Sequence, residues 1–87
     1  MLIHTKIVRR PEVLNLLQIS QSALHDRIRK GIWPAPISLG ARAVGWIYSE
    51  NNQVLEAMIA GWSEEEIKQL VKSLMEQRKE KSKGILK

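Results

Sequence analysis

The fold of this chain is decided by residues 11–47, which read PEVLNLLQISQSALHDRIRKGIWPAPISLGARAVGWI. Pro11 suits the first turn of a helix, because the N–H group that proline lacks is not needed there. Apolar residues then recur at helical spacing up to Leu17, and Gln18-Ile19 connects to the next element. The start of this stretch therefore predicts a brief helix followed by a tight turn.

A second helix is expected directly after this turn. Ser20 is a suitable N-cap for a helix over residues 21–30, and Gly31 is suited to end it. Leu24 and Ile28 are four residues apart and form the side of this helix that faces the core. Two short helices joined by a tight turn predict a helix-turn-helix.

Two β-prone runs follow the second helix. The stretch Trp33-Pro34-Ala35-Pro36 cannot be helical, because two prolines at this spacing forbid it. Residues 37–39 and 44–48 then flank a turn that begins at Gly40, as in a β-hairpin. The predicted fold class is mainly α with a small β-hairpin, a winged helix-turn-helix. Residues 3–8 are expected to add an edge strand or an ordered arm.

Two further helices are expected after the hairpin. Ser49 is predicted to cap the third helix, which ends at Gly61. Its predicted apolar face consists of Val54, Leu55, Met58 and Ile59. Ser63 and Glu66 have the spacing of a capping box for a fourth helix, which is expected to fray over residues 78–83.

The fourth helix carries an apolar stripe at helical spacing. The stripe consists of Ile67, Leu70, Val71 and Leu74. It completes the core of this chain, forms a homodimer or cooperative contact, or does both. The chain is therefore divided into a winged helix-turn-helix domain over residues 1–61, an amphipathic helix over 62–82 and a flexible tail over 83–87. Trp33 and Trp46 are interpreted as core residues rather than base-stacking ones, and Trp62 as a staple between the last two helices.

The composition excludes several classes of protein. The 87 residues suffice for one small domain, and no apolar run is long enough to span a membrane. Without cysteine the chain has no disulfide framework and no thiolate metal site, which is typical of a cytoplasmic protein. No spacing of catalytic, phosphate-binding or metal-binding residues is present, so we expect neither an enzyme nor a cofactor.

The charge is distributed unevenly along the chain. The net charge is +5, and all of this excess lies in residues 1–48, because the acidic and basic residues after position 48 balance. A basic part followed by a neutral helical part indicates a module that binds a polyanion. Double-stranded DNA is the expected partner.

The polar side of the second helix has residue types that suit DNA. Ser22, His25, Asp26 and Arg29 lie opposite the core side, and Gln21 lies at the N-terminal end, where recognition helices commonly meet base edges. Glutamine pairs with adenine and arginine with guanine. The complete set of predicted DNA-contacting residues is Arg9, Arg10, Ser20, Gln21, Ser22, His25, Asp26, Arg29, Lys30 and Arg42.

Part of the chain resembles the AlpA-type prophage regulators, which are similar to the MerR and excisionase branch of winged helix-turn-helix folds. The matching residues are Pro11-Glu12-Val13-Leu14, Ile19 to Leu24, Ile28, Lys30-Gly31, Trp33 to Ile37, Leu39-Gly40, Arg42 to Trp46, and Ser49-Glu50. The resemblance implies a DNA-binding transcriptional regulator of a mobile element. The alternatives are an excisionase-like accessory factor and a protein-interaction module without DNA binding.

Three positions, Gln18, His25 and Asp26, depart from the pattern of that family, which often has an aromatic residue where His25 stands. The family usually has glycine where Gln18 stands, so a left-handed backbone is expected at this residue. It often has a basic residue where Asp26 stands. We expect Asp26 to pair with Arg29 or Lys30 across one helical turn, although a carboxylate also accepts from a cytosine amino group.

Overall fold

The computed structural model describes residues 6–85, and the side chains of residues 6–81. Within that range the chain forms a small sheet and a set of helices. In chain order these are β1 (Ile7–Val8), α1 (Arg10–Leu17), α2 (Gln21–Lys30), β2 (Ile37–Gly40), β3 (Ala43–Ile47), α3 (Tyr48–Ile59) and α4 (Glu64–Ile85). The fold is mainly α with a small sheet, as predicted, and it is compatible with a winged helix-turn-helix.

The three strands form an antiparallel sheet in the order β1-β3-β2. β1 is the edge strand expected before the first helix, and its Ile7 lies opposite Ile47. Residues 3–5 of the predicted strand or arm lie outside the described residues. β2 and β3 form the predicted hairpin, whose turn is shorter than expected and consists of Ala41 and Arg42.

One hydrophobic core joins the sheet to all four helices. Trp33 and Trp46 are each 1% exposed, which confirms that they are core residues. The indole Nε1 of Trp46 donates to the carbonyl oxygen of Pro34 at 3.0 Å, so the polar atom of this buried ring is satisfied. Val13 of α1 and Leu24 of α2 are also fully buried, so both helices of the helix-turn-helix are anchored in this core.

The start of α3 differs from the prediction. The helix begins at Tyr48, with Ile47 as its N-cap, so the predicted cap at Ser49 is wrong. Ile47 is still paired with Ile7 in the sheet, and the N–H of Tyr48 donates to the carbonyl of Lys6 at 2.8 Å. The strand therefore passes into the helix without a loop, and Ser49 already lies in the first turn.

The buried face of α3 is also rotated from the predicted one. Val54 is fully buried, but Ile59 is 78% exposed, so its assignment to the apolar face is wrong. Ile59 follows Val54 by five residues, which places it about 140° around the helix. The small Ala57 occupies the core side instead. Trp62, predicted to staple the last two helices, is 46% exposed.

The fourth helix packs on the core of its own chain. Ser63 and Glu66 form the predicted capping box, with Ser63 N–H donating to Glu66 Oε1 at 2.8 Å and Glu66 N–H to Ser63 Oγ at 3.2 Å. The stripe residues Ile67, Val71 and Leu74 are buried in the common core, and Leu70 is partly buried. α4 continues to Ile85, past residues 78–83, where fraying is predicted. Residues 86 and 87 of the predicted tail lie outside the described residues.

Candidate nucleic-acid interface

The turn before α2 has the unusual backbone that the family resemblance implies. Gln18 adopts φ 55° and ψ 46°, in the left-handed region, and its backbone N–H donates to the carbonyl of Leu14. Its side-chain Nε2 also donates to the carbonyl of Asn15 at 2.6 Å. These bonds hold a conformation that costs a non-glycine residue on the order of 1 kcal/mol.

The beginning and the orientation of α2 follow from two residues. The Oγ of Ser20 accepts a hydrogen bond from the N–H of Ala23 at 3.1 Å, which confirms the predicted N-cap. Leu24 is 1% exposed and fixes which side of the helix faces the core. The opposite side is left in solvent. The exposed side chains of α2 are Gln21, Ser22, His25, Arg29 and Lys30.

Asp26 lies within this polar surface and forms ion pairs with both cations of the last turn. Its carboxylate contacts Arg29 Nη2 at 2.5 Å and Lys30 Nζ at 3.1 Å. The hydrogen bond from Lys30, together with the positive charges of both partners, lowers the pKa of Asp26 from 3.8 although desolvation acts in the opposite direction. The expected pairing of Asp26 is therefore confirmed, and α2 presents its cations in a partly neutralised form.

Three of the predicted DNA-contacting arginines meet at one cleft. Arg9 and Arg10 come from the start of α1, and Arg42 comes from the turn of the hairpin. Together with Pro11 and Val44 they line a cleft of about 360 Å³. The structure thus brings together cations that are more than thirty residues apart in the chain. No negatively charged side chain is among the described residues that line this cleft.

Contacts with the hairpin hold two of these arginines in place. The Nε of Arg9 donates to the carbonyl oxygen of Val44 at 2.9 Å, which ties α1 to β3. The guanidinium of Arg10 lies 5.8 Å from the ring centre of the buried Trp46, a cation–π distance. Arg9 uses one of its five N–H donors in this way, and its other donors have no hydrogen-bond partner among residues 6–81.

The backbone at the start of α1 is largely occupied by hydrogen bonds within the helix end. The N–H of Arg9 donates to Glu12 Oε1 at 2.8 Å, and the N–H of Glu12 donates back to the Arg9 carbonyl at 3.0 Å. Pro11 has no N–H. The attraction for an anion at this helix end must therefore come mainly from the arginine side chains.

The carbonyl of Val44 is a part of this site that sequence reasoning missed. A backbone acceptor carries no residue-type signal, and Arg9 reaches it across 35 positions of the chain. The sequence does show the two elements, since Arg42 lies between the two β-prone runs and Arg9 lies just before the first helix. The sequence does not show that α1 packs on β3, which is what brings Arg9 to the Val44 carbonyl.

Other kinds of site are not found in the part of the chain that the structure describes. No three histidine, aspartate or glutamate side chains there are grouped as ligands for a metal ion. None of the helices over residues 6–85 combines the length and the apolar character needed to cross a membrane.

The chain is similar to proteins of bacterial viruses and prophages. A family model described as prophage CP4-57 regulatory protein (AlpA) matches residues 6–59, which correspond to β1 through α3. The uncharacterized protein ORF88 of Enterobacteria phage P4 is 39% identical over 56 residues, which make up 64% of this chain and 64% of that protein. The match thus spans just under two thirds of that relative. No solved structure matches the chain.

Proposed function

Because the chain belongs to the AlpA family of prophage regulatory proteins, we propose that it regulates genes of a prophage or related mobile element by binding double-stranded DNA. The observation that carries this proposal is the cleft on which Arg9, Arg10 and Arg42 converge. Clustered guanidinium groups are suited to phosphate oxygens, which they bind with two parallel hydrogen bonds, and no carboxylate is among the described residues that line this cleft.

In this proposal α2 enters the major groove with its exposed side. Gln21, Ser22 and His25 lie at the N-terminal half of α2, the part of a recognition helix that commonly meets base edges. Ser20 keeps its hydroxyl proton free to donate to a phosphate, since its Oγ serves the cap as an acceptor. Arg29 and Lys30 contact the backbone once the DNA competes with Asp26 for them.

In the same proposal the hairpin and the start of α1 contact the sugar-phosphate backbone of the DNA beside the major groove. Arg42 lies exposed at the hairpin turn, from which a long cation reaches a phosphate or the minor groove. Arg9 and Arg10 line the same cleft and are held by the hairpin through Val44 and Trp46. These contacts position the protein, while α2 supplies the sequence preference.

A salt titration of duplex binding tests this proposal. If about four to six of these cations meet phosphates, the logarithm of the association constant falls against the logarithm of salt concentration with a slope of roughly −4 to −5. Arg42→Ala is expected to make the slope shallower by about 1. Lys72→Ala removes the same charge from the exposed side of α4 and is expected to leave the slope unchanged. Absent binding at low salt would contradict the proposal and favour a protein-interaction module.

The role of an excisionase-like accessory factor belongs to the same DNA-binding class. Such a factor bends DNA and occupies arrayed sites beside a recombination site, whereas a regulator occupies a promoter. A footprint on the DNA of the mobile element, together with gel mobility of circularly permuted fragments, distinguishes the two. Assembly of two copies through Ile67, Leu70, Val71 and Leu74 stays a prediction, and with three of these buried such a contact would be small. The proposed place of action is the bacterial cytoplasm, and no enzymatic step is proposed.

A further inference from the structure

An apolar surface remains exposed where α3 meets α4. Ile59 at the end of α3 is 78% exposed, and Trp62 in the connecting loop is 46% exposed. We call residues 56–66 the α3–α4 corner. Exposed tryptophan next to other exposed apolar side chains is typical of protein contact sites, where tryptophan often contributes much of the binding energy.

Trp62 forms a wall of two clefts at this corner. The first cleft has a volume of about 290 Å³, and Ala57, Ala60 and Leu70 contribute to its lining. The second has a volume of about 280 Å³, and its apolar lining includes Met58 and Ile67. Both clefts are open and have room for an apolar side chain from a partner.

The charged residues of the α3–α4 corner itself are all negative. Residues 56–66 include four glutamates and no lysine or arginine. Glu65 contacts Lys68 at 3.9 Å, and Glu66 belongs to the capping box. Glu56 lines the first cleft and Glu64 the second, where Arg27 of α2 is the only cation among the described lining residues.

We propose that the α3–α4 corner docks an amphipathic, basic segment of a second protein. Apolar side chains of that segment enter the two clefts beside Trp62, and its lysines or arginines lie against Glu56 and Glu64. Nucleic acid and anionic lipid are repelled by these carboxylates. A second copy docked corner to corner would bring like charges together, which costs binding energy. The corner shares no residue with the proposed DNA contacts, so both partners can bind at once.

Peptide titration followed by tryptophan fluorescence tests this proposal on the full chain. The probe is a helical peptide about four turns long, with leucine at i, i+3, i+4 and i+7 and lysine on the other face. The control peptide has the same composition in scrambled order. Trp33 and Trp46 are each 1% exposed, so a change in emission reports Trp62. We expect a saturable blue shift with the amphipathic peptide and about tenfold weaker binding of the scrambled one.

Variants of the corner separate this site from general charge attraction. Ile59→Ser and the double variant Glu56→Gln/Glu64→Gln are each expected to weaken peptide binding by about tenfold. Leu16→Ser is the matched control, because Leu16 is 44% exposed on α1 and lies outside the corner. It is expected to leave peptide binding unchanged, and Ile59→Ser to leave duplex binding unchanged.

Three results would overturn the proposal. The first is equal binding of the scrambled peptide, or equal weakening by Leu16→Ser, which would show attraction without a site. The second is peptide binding with unchanged emission, which would place the contact elsewhere. The third is concentration-dependent dimerisation in sedimentation that Ile59→Ser abolishes, which would make a second copy the occupant.

Discussion

Glu50 of α3 and Arg78 of α4 form an ion pair beneath the surface, although 28 residues separate them. Glu50 is only 6% exposed. Its Oε2 accepts from Arg78 Nε at 2.9 Å and its Oε1 from Arg78 Nη2 at 2.5 Å, while the same Nη2 donates to the carbonyl of Ala35 at 2.7 Å. One guanidinium therefore joins α3, α4 and the segment before the hairpin.

Removing the guanidinium is expected to destabilise the whole fold. Arg78→Met leaves the buried carboxylate of Glu50 without a partner, which typically lowers the free energy of unfolding by about 3–5 kcal/mol. The Arg78 side chain is 22% exposed, so we expect a value near the lower end. Urea unfolding measures the loss. Lys79→Met removes a neighbouring exposed cation and serves as the control. Equal losses in the two variants would show that the pair contributes no more than a surface charge.

Truncation after residue 61 tests whether the first part of the chain folds alone. The cut removes Ile67, Val71 and Leu74 from the common core, and each buried aliphatic side chain contributes about 1.5–3 kcal/mol. It also removes Arg78 from the buried Glu50. We therefore expect the 1–61 fragment to lack cooperative thermal unfolding and dispersed amide resonances. A folded fragment that still binds duplex DNA would support the predicted domain boundary and assign α4 to assembly.

The parts of the fold that the sequence predicts are those with local signals. The Ser20 cap, the α2 bounds and the hairpin all depend on residues close together in the chain, and the structure confirms them. The left-handed backbone at Gln18, also confirmed, was implied by the family resemblance instead. The burial of Trp33 and Trp46 could be predicted because both residues lie in or beside the hairpin of a small domain. The order of the sheet strands has no such local signal, since it depends on the packing of β1 against β3.

The Glu50–Arg78 pair shows why contacts between residues far apart in the chain could not be predicted in full. From the sequence, Glu50 lies in the first turn of the third helix, and Arg78 begins the segment where the fourth helix is expected to fray. One signal was available, because Arg78 follows Ile67 by eleven residues and so returns to the same face as the apolar stripe. Finding its partner required knowing how α4 crosses α3. The same applies to the arginine cleft, whose members were predicted separately but not as neighbours.

Asp26→Asn is expected to change both stability and DNA binding. The ion pairs with Lys30 and Arg29 lower the pKa of Asp26 in the folded state, so their contribution to stability is present above about pH 4 and is lost as the pH falls through the folded-state pKa. The stability difference between the native chain and the variant should therefore disappear in acid. Near neutral pH Arg29 and Lys30 lose their carboxylate partner. The slope of the logarithm of the association constant against the logarithm of salt concentration should then become more negative by about 1. An unchanged slope would show that Arg29 and Lys30 do not meet phosphates.

Gly45→Ala is expected to disturb the contact between β3 and its neighbours. A Cβ atom at this position would lie 2.6 Å from Cγ2 of Ile7 and 3.0 Å from Cδ1 of Leu39. Overpacking of this kind costs about 1–3 kcal/mol, which thermal unfolding measures. The double variant Ile7→Ala/Gly45→Ala removes the closest contact and should show less than the sum of the two single losses. If the two single losses simply add, the contact with Ile7 is not what destabilises Gly45→Ala, and β3 has instead moved away from β1.

Gln21→Ala and Arg42→Ala are expected to weaken DNA binding in different ways. Gln21 is exposed at the N-terminal end of α2, where its amide can pair with an adenine edge, so its loss should reduce the preference at one base pair by about 1–3 kcal/mol. Arg42 lies at the hairpin turn beside Arg9 and Arg10, and its loss should weaken binding to all duplexes alike. Competition with single-base variants of the footprinted site measures both effects. Should Gln21→Ala leave the preference profile intact while Arg42→Ala alters it, the hairpin rather than α2 would be the element that reads the sequence.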